Sequence, residues 1–232
     1  MVASLLNMTL GNALALVQTH TKRLLAYSTI AQMGYVMLSI GIGLRYNVPA
    51  AIQAGFFLLL AHAAMKGLAF LSKGVCHFYN NSTTVAQLRG TLAQLPLIAI
   101  TFGLALAGLA GVPPLAGFAG KWFLLTRALQ TVQAMPGATA TNDIATGSAA
   151  AGLYVALGAF LLNSLVALGY FLPVIGTLFA PVIQGEHYPR TRVSAWMTIP
   201  LVILGAFVLA LGLYPGPWLG WLEEVGFYLL GS

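Results

Sequence analysis

Apolar residues in this chain fall in long runs, and polar residues gather in the short stretches between them. Six runs stand out, at about 3–19, 24–44, 49–72, 95–131, 150–181 and 195–214. A helix needs roughly 17–25 residues to cross a bilayer, so each predicts a span, the first only just. The fifth is long enough to tilt, or to kink near Pro173. The fourth is interrupted. In GLAGVPPLAGFAGKWFLL, 108–125, Gly111 precedes the pair Pro113 and Pro114. The prolines lack amide hydrogens, so the carbonyls of Leu109 and Ala110 lose their helical partners. In lipid, such groups are tolerated only against protein or a water-filled cavity. The expected fold is all-α: a polytopic transmembrane helix bundle of about six spans, with one discontinuous helix broken at Pro113–Pro114.

The bundle is expected to occupy 1–214. The tail, 215–232, carries Trp218, Trp221 and Tyr228 beside Glu223 and Glu224. It reads as an amphipathic interfacial segment, because aromatic rings favour the headgroup level. The 132–149 connection is polar, small and Gly-containing, which predicts a surface loop.

Composition supports the membrane reading. The 232 residues are 59% hydrophobic and only 6% charged, against roughly 25% charged in a soluble domain. The net charge of +6 implies lipid rather than nucleic acid as a partner, since the basic residues sit between apolar runs. Lys22, Arg23, Lys73, Arg89, Arg190 and Arg192 fall on one side; Arg45, Arg127, Asp143, Glu223 and Glu224 fall on the other. The positive-inside rule makes the first side cytoplasmic and places both termini opposite. No signal peptide is expected at the N-terminus. Cys76 is the only cysteine, which leaves no disulfide framework and no iron–sulfur or zinc cluster. There is no nucleotide-binding glycine fingerprint, no triad and no repeated metal-ligand spacing. No cofactor or metal ligand set is expected in this chain.

Charge inside the spans is one-sided. All four carboxylates lie in loops or the tail, whereas the spans hold His62, Lys66 and Lys121, with tyrosines such as Tyr27, Tyr35, Tyr154 and Tyr170. A hard cation such as sodium favours oxygen ligands, usually including carboxylates. A lysine instead exchanges between ammonium and amine, which suits proton relay, although freed carbonyls at 109–110 could also hold a cation. Lys121 enters just after the break, where the positive end of a new half-helix opposes an ammonium. Intramembrane ionisable residues are candidate functional groups; the competing reading is snorkelling to the headgroups. Arg127 suits snorkelling better, being about six residues, or roughly 9 Å, nearer the surface.

His62 and Lys66 are four residues apart and share a helix face, which suits a water-bridged proton step. Snorkelling remains open for Lys66, although Lys73 is expected to fill the interface there. Ser28, Thr29, Gln32 and Asn163 are expected to pack or to bond between helices. The placement of the spans predicts a hydrated path from Lys66 near the basic side, across the centre, to Lys121.

Four segments carry a family resemblance. GNALALVQTHTKRLLAYSTIAQMGYV (11–36), AHAAMKGLAFLSKG (61–74), GLAGVPPLAGFAGKWFLL (108–125) and LGLYPGPWL (211–219) occur in order. Together they resemble the antiporter-like subunits of respiratory complex I, of Mrp-type cation/proton antiporters and of membrane-bound hydrogenases. Such subunits usually have fourteen helices in two inverted half-channels. The resemblance implies that this chain matches the last six, with Lys66 as the central lysine and Lys121 as the exit-side lysine. The first half-channel, with its glutamate–lysine pair, has no counterpart here. Either another membrane chain supplies it or the chain is a shortened homologue. His20 departs from the family pattern, which usually has an aspartate there.

The resemblance implies a proton-translocating, non-redox membrane subunit of a complex I-like NAD(P)H:quinone oxidoreductase or related hydrogenase. It would hold no cofactor, work with other membrane subunits in a bacterial plasma membrane or equivalent, and be catalytically silent alone. A subunit of an Mrp-type sodium/proton antiporter and a truncated structural homologue without transport are the alternatives.

Overall fold

The computed structural model describes residues 1–134, 144–181 and 191–230, with no side-chain description at 144–148. The elements are α1 (Val2–Leu16), α2 (Thr21–Tyr46), α3 (Pro49–Asn80), a 3-10 turn (Ala86–Leu88), the one-turn α4 (Thr91–Gln94), α5 (Pro96–Ala110), α6 (Ala116–Gln133), α7 (Ile144–Phe179), α8 (Ala195–Leu213) and α9 (Pro215–Leu230). Every regular element among the described residues is helical, as expected.

Four helices are long and apolar enough to cross a membrane: α2, α3, α7 from Ala149 onward, and α8. The other two expected spans are the short α1 and the α5–α6 pair. Residues 144–149 belong to α7 rather than to a loop. The rest of the expected 132–149 loop, with Asp143, lies outside the described residues from 135, as does Arg190.

Helix ends follow local chemistry. α2 and α3 terminate at Asn47 and Asn81, both in the left-handed region with φ of 56° and 48°, a conformation asparagine tolerates better than most residues. α3 begins with Pro49 in its first turn, where a missing N–H costs nothing. The chain leaving α3 pairs with the α1–α2 turn: Val85 N–H donates to Thr19 O (2.9 Å) and Thr21 N–H to Thr83 O (3.2 Å).

Small residues let the helices approach. A Cβ on Gly11 of α1 would lie 2.4 Å from the Ala31 backbone nitrogen of α2, and one on Gly34 2.6 Å from that of Met8. α2 and α3 run antiparallel, tied by Ser39 Oγ donating to Ala51 O at 2.7 Å. α3 is central, packed by α2, α5, α6, α8 and α9. Phe57, Leu68, Phe102, Leu106 and Phe171 anchor one apolar core; Met8, Tyr35, Ile42, Leu153 and Phe160 anchor a second. Outward positions such as Val155 (68% exposed), Leu162 (65%) and Ile203 (62%) are equally apolar. This is an integral membrane protein.

The tail is a helix over Pro215–Leu230. α9 docks on the start of α3, where Gln53 Nε2 donates to Leu219 O at 2.6 Å. Gly226 packs on the Pro49 carbonyl, 2.7 Å from where a Cβ would sit. Trp221 and Tyr228 remain exposed.

Candidate functional site: two buried lysines and a broken helix

The helix break is sharper than the prolines alone predict. α5 stops at Ala110, because Gly111 adopts φ +90°, a conformation that favours glycine. Gly111 N–H and Val112 N–H both donate to Ala107 O, at 3.1 and 3.0 Å. Pro113 and Pro114, joined by a cis peptide, then carry the chain into α6. The start of α6 lies close over the end of α5: a Cβ on Gly117 would sit 1.9 Å from Gly108 O.

Lys121 lies in the second turn of α6 and turns back to the break. Its Nζ donates to Ala110 O at 3.2 Å, one of the two carbonyls the prolines were expected to free. Nζ also lies 5.3 Å from the centre of the Tyr35 ring on α2, within cation–π range. The electrostatics therefore differ from the expectation. The ammonium faces the negative, C-terminal end of α5, not only the positive start of α6. Snorkelling does not describe it, since the side chain is only 7% exposed. A cavity of about 260 Å³ lies beside it, lined by Gly111, Phe118, Trp122, Leu161 and Ser164 among others.

Lys66 is held differently. From α3 its Nζ donates to Leu25 O and to Ser28 Oγ (2.6 Å), both on α2. Ser28 Oγ in turn donates to Leu25 O at 2.9 Å. Ser28 thus bonds between helices, one of the two roles expected of it, whereas Thr29 Oγ1 donates within its own helix, to Leu25 O. His62 is buried one turn along α3, and its Nδ1 has no hydrogen-bond partner among the described residues.

Gln32 was expected to pack, and its surroundings are unusual for that role. It is 3% exposed, and neither its Nε2 nor its Oε1 has a partner among the described residues. Ser28, Gln32, Tyr35 and Ser39 recur at helical spacing on one face of α2. Ser28 contacts Lys66 and the Tyr35 ring faces Lys121, so Gln32 lies on the face between the two lysines. That spacing was the available signal in the sequence.

Asn163 keeps its structural role. It accepts from Asn12 Nδ2 at Oδ1 (3.0 Å) and donates to Thr9 Oγ1 (3.3 Å) and Ala159 O (2.9 Å). Asn12 Nδ2 also donates to Tyr35 OH at 3.1 Å, and Tyr170 OH donates to Asn12 Oδ1 at 2.9 Å. This network ties α1, α2 and α7 and places the Tyr35 ring under Lys121.

Among the described residues, no group of three or more His, Cys, Asp or Glu could hold a metal ion. The interior instead offers the buried amines of Lys66, Lys73 and Lys121, an imidazole, an amide and hydroxyls, which can pass protons through water.

Comparison with known proteins supplies the family of the chain. Residues 1–142 match the model of the "NADH:quinone oxidoreductase/Mrp antiporter, TM" family. The chain belongs to that family. It is 33% identical to NADH-quinone oxidoreductase subunit N of Anaeromyxobacter sp. (strain Fw109-5) over 227 residues, 96% of this chain and 40% of the relative. It superposes on a chain of respiratory complex I from Thermus thermophilus with a TM-score of 0.66 and 32% identity, covering 94% of this chain and 43% of that one. A chain of the Mrp complex from Dietzia sp. DQ12-45-1b shares the fold, with a TM-score of 0.80 at 21% identity, over 99% of this chain and 46% of that one. The chain thus spans about two fifths of the length of the subunit N relative. These relatives are subunits of multisubunit membrane assemblies.

Proposed function

We propose that this chain is a proton-translocating membrane subunit of a complex I-like NAD(P)H:quinone oxidoreductase, relaying protons through Lys66, His62 and Lys121. One observation carries the reading. Lys66 and Lys121 are buried on the α2–α3–α6 interior of a chain whose spans contain no carboxylate, and polar atoms of His62 on α3 and Gln32 on α2 have no partner among the described residues. Buried polar groups seek partners, and ordered water supplies them where protein does not. Water bridging His62 and Gln32 would join Lys66 to Lys121.

In this reading the basic end is cytoplasmic and both termini face away from it. Lys66 receives a proton from the basic side and passes it through His62, Gln32 and water. Lys121 releases it past the break, where Gly111, Pro113 and Pro114 keep the helix interrupted and leave the Ala110 carbonyl for the ammonium. Redox chemistry takes place in other subunits, so this chain needs no cofactor of its own. A further membrane subunit supplies the first half-channel, and α9 lies in the membrane interface. Sequence identity to the subunit N relative favours this assignment.

The family also includes Mrp antiporters, and the Dietzia Mrp chain shares the fold. Sodium/proton exchange is therefore the second reading. Purification of the native complex through this chain, with its subunits identified and the complex reconstituted in vesicles, separates the two. Quinone reduction coupled to acidification of one side is expected. Sodium-driven proton exchange, with no quinone-reducing subunit present, would overturn the assignment.

A further inference from the structure

A second lysine on α3, Lys73, is buried where the sequence predicts an interfacial one. Lys73 lies seven residues before the end of α3, within reach of headgroups for a four-carbon side chain, yet it is 0% exposed. Its Nζ turns under the following loop and donates to the backbone carbonyl of Ser82 and to Ser82 Oγ (3.2 Å). Ser82 is itself buried. His77, one turn on, bonds the same carbonyl through Nδ1 at 3.0 Å, which makes Nδ1 the protonated nitrogen. Unlike Lys73, His77 is partly exposed. It also lines a cavity of about 350 Å³ with His20, Lys22, Arg23 and Thr83 at the basic end.

His62, Lys66, Lys73 and His77 form one row along α3. At about 100° per residue, positions 73 and 77 each fall within roughly 20° of position 66 around the helix. The row runs from the buried His62 to the cavity at the basic end. Lys73 has no carboxylate in α2 or α3 to pair with. Among the described residues, the charged and titratable groups around it are Lys22 from α2, which repels its charge, and Cys76 and His77 from its own helix. A lysine serving only as an anchor would gain from a carboxylate here; one that must give up its proton would be held back by it.

We propose that Lys73 and His77 form the proton-uptake step at the basic end, a reading that rests on the proton path through Lys66 and Lys121. Lys73, as the ammonium, first passes a proton through water to the neutral amine of Lys66 and becomes an amine itself. His77, protonated on Nε2 from water in the basic cavity, then gives its Nδ1 proton through water to that amine, and the ring regains its starting tautomer by exchanging protons with the cavity water. The Ser82 carbonyl holds both donors at one acceptor.

The test uses the native complex in vesicles, measuring protons moved per quinone reduced for wild type, Lys66→Ala, Lys73→Gln, Lys73→His and His77→Gln. Glutamine keeps a donor for Ser82 but cannot titrate. Lys73→Gln is expected to lower translocation about tenfold or more, as loss of a positioned proton-transfer group does, with subunit content unchanged. Lys73→His is expected to recover at least about half of the wild-type rate, with its optimum at lower pH, since imidazole loses its proton at lower pH than an amine. Wild-type translocation by Lys73→Gln, in a preparation where Lys66→Ala has stopped, would overturn the uptake role and leave the main path standing. Wild-type translocation by Lys66→Ala would remove the path itself, and this inference with it. Should Lys73→Gln not assemble, the pH profile of Lys73→His decides: a displaced optimum supports the role and an unchanged one refutes it.

Discussion

Lys66 and Lys121 are buried to the same extent, 7% exposed each, but the fold holds them by opposite means. Lys66 projects from an unbroken helix and is solvated by another, through Leu25 O and Ser28 Oγ of α2. Lys121 is solvated by its own broken segment, bonding back across the interruption to Ala110 O. The first arrangement depends on register between two helices. The second depends on a chain break, a left-handed glycine and a cavity next to the amine. An intact helix commits its carbonyls to its own amides, so Lys66 shares Leu25 O with α2 and adds the Ser28 hydroxyl, whereas Lys121 takes a carbonyl that the break has freed. The same charge problem therefore has a rigid solution towards the basic end and a more open one beyond the bundle centre.

The largest effect on this contrast is expected at the break. Gly117→Ala puts a methyl group 1.9 Å from Gly108 O, so α5 and α6 must separate. Overpacking of this kind costs about 1–3 kcal/mol. The purified complex should show a lower thermal midpoint and less assembled subunit, whereas alanine at Gly74, where a Cβ meets nothing within 4 Å, should leave both unchanged.

A smaller and more local effect is expected at the other lysine. Ser28→Ala removes the hydroxyl acceptor of Lys66 and leaves only the Leu25 carbonyl. A hydrogen bond to a charged group is worth about 1.5–3 kcal/mol, so proton translocation should fall about tenfold while the thermal midpoint moves little. Equal loss of stability and transport would show that Ser28 only packs.

Smallest is the effect expected at the link between the two sites. Gln32→Leu keeps the volume and removes both unpartnered amide atoms. Translocation should fall about fivefold, equivalent to ~1 kcal/mol, with assembly intact. A wild-type rate would place the water path away from α2.

The sequence made the fold class and the break legible, because long apolar runs and a proline pair act locally. The loss of the Ala110 carbonyl's helical partner also followed from the missing proline N–H groups. That Lys121 itself would cap the carbonyl did not follow, since Gly111 had to end α5 first and turn the chain. The Ser28–Lys66 bond spans 38 residues and depends on how α2 and α3 slide against each other. Only the polar row Ser28, Gln32, Tyr35 and Ser39 hinted at that face. The burial of Lys73 was illegible for a different reason: it is made by the 81–84 loop folding back to pair with the α1–α2 turn. Local spacing reads faces well, but the partners that meet a face belong to tertiary register.

The central claim is that Lys66 and Lys121 are two stations on one proton path, and replacing Lys121 tests it most directly. Lys121→Gln keeps a donor for Ala110 O and removes the titrating amine. Measured as protons moved per quinone reduced in the reconstituted native complex, translocation should fall on the order of 100-fold while the complex stays assembled. Translocation at the wild-type ratio by the Lys121→Gln complex would contradict the account.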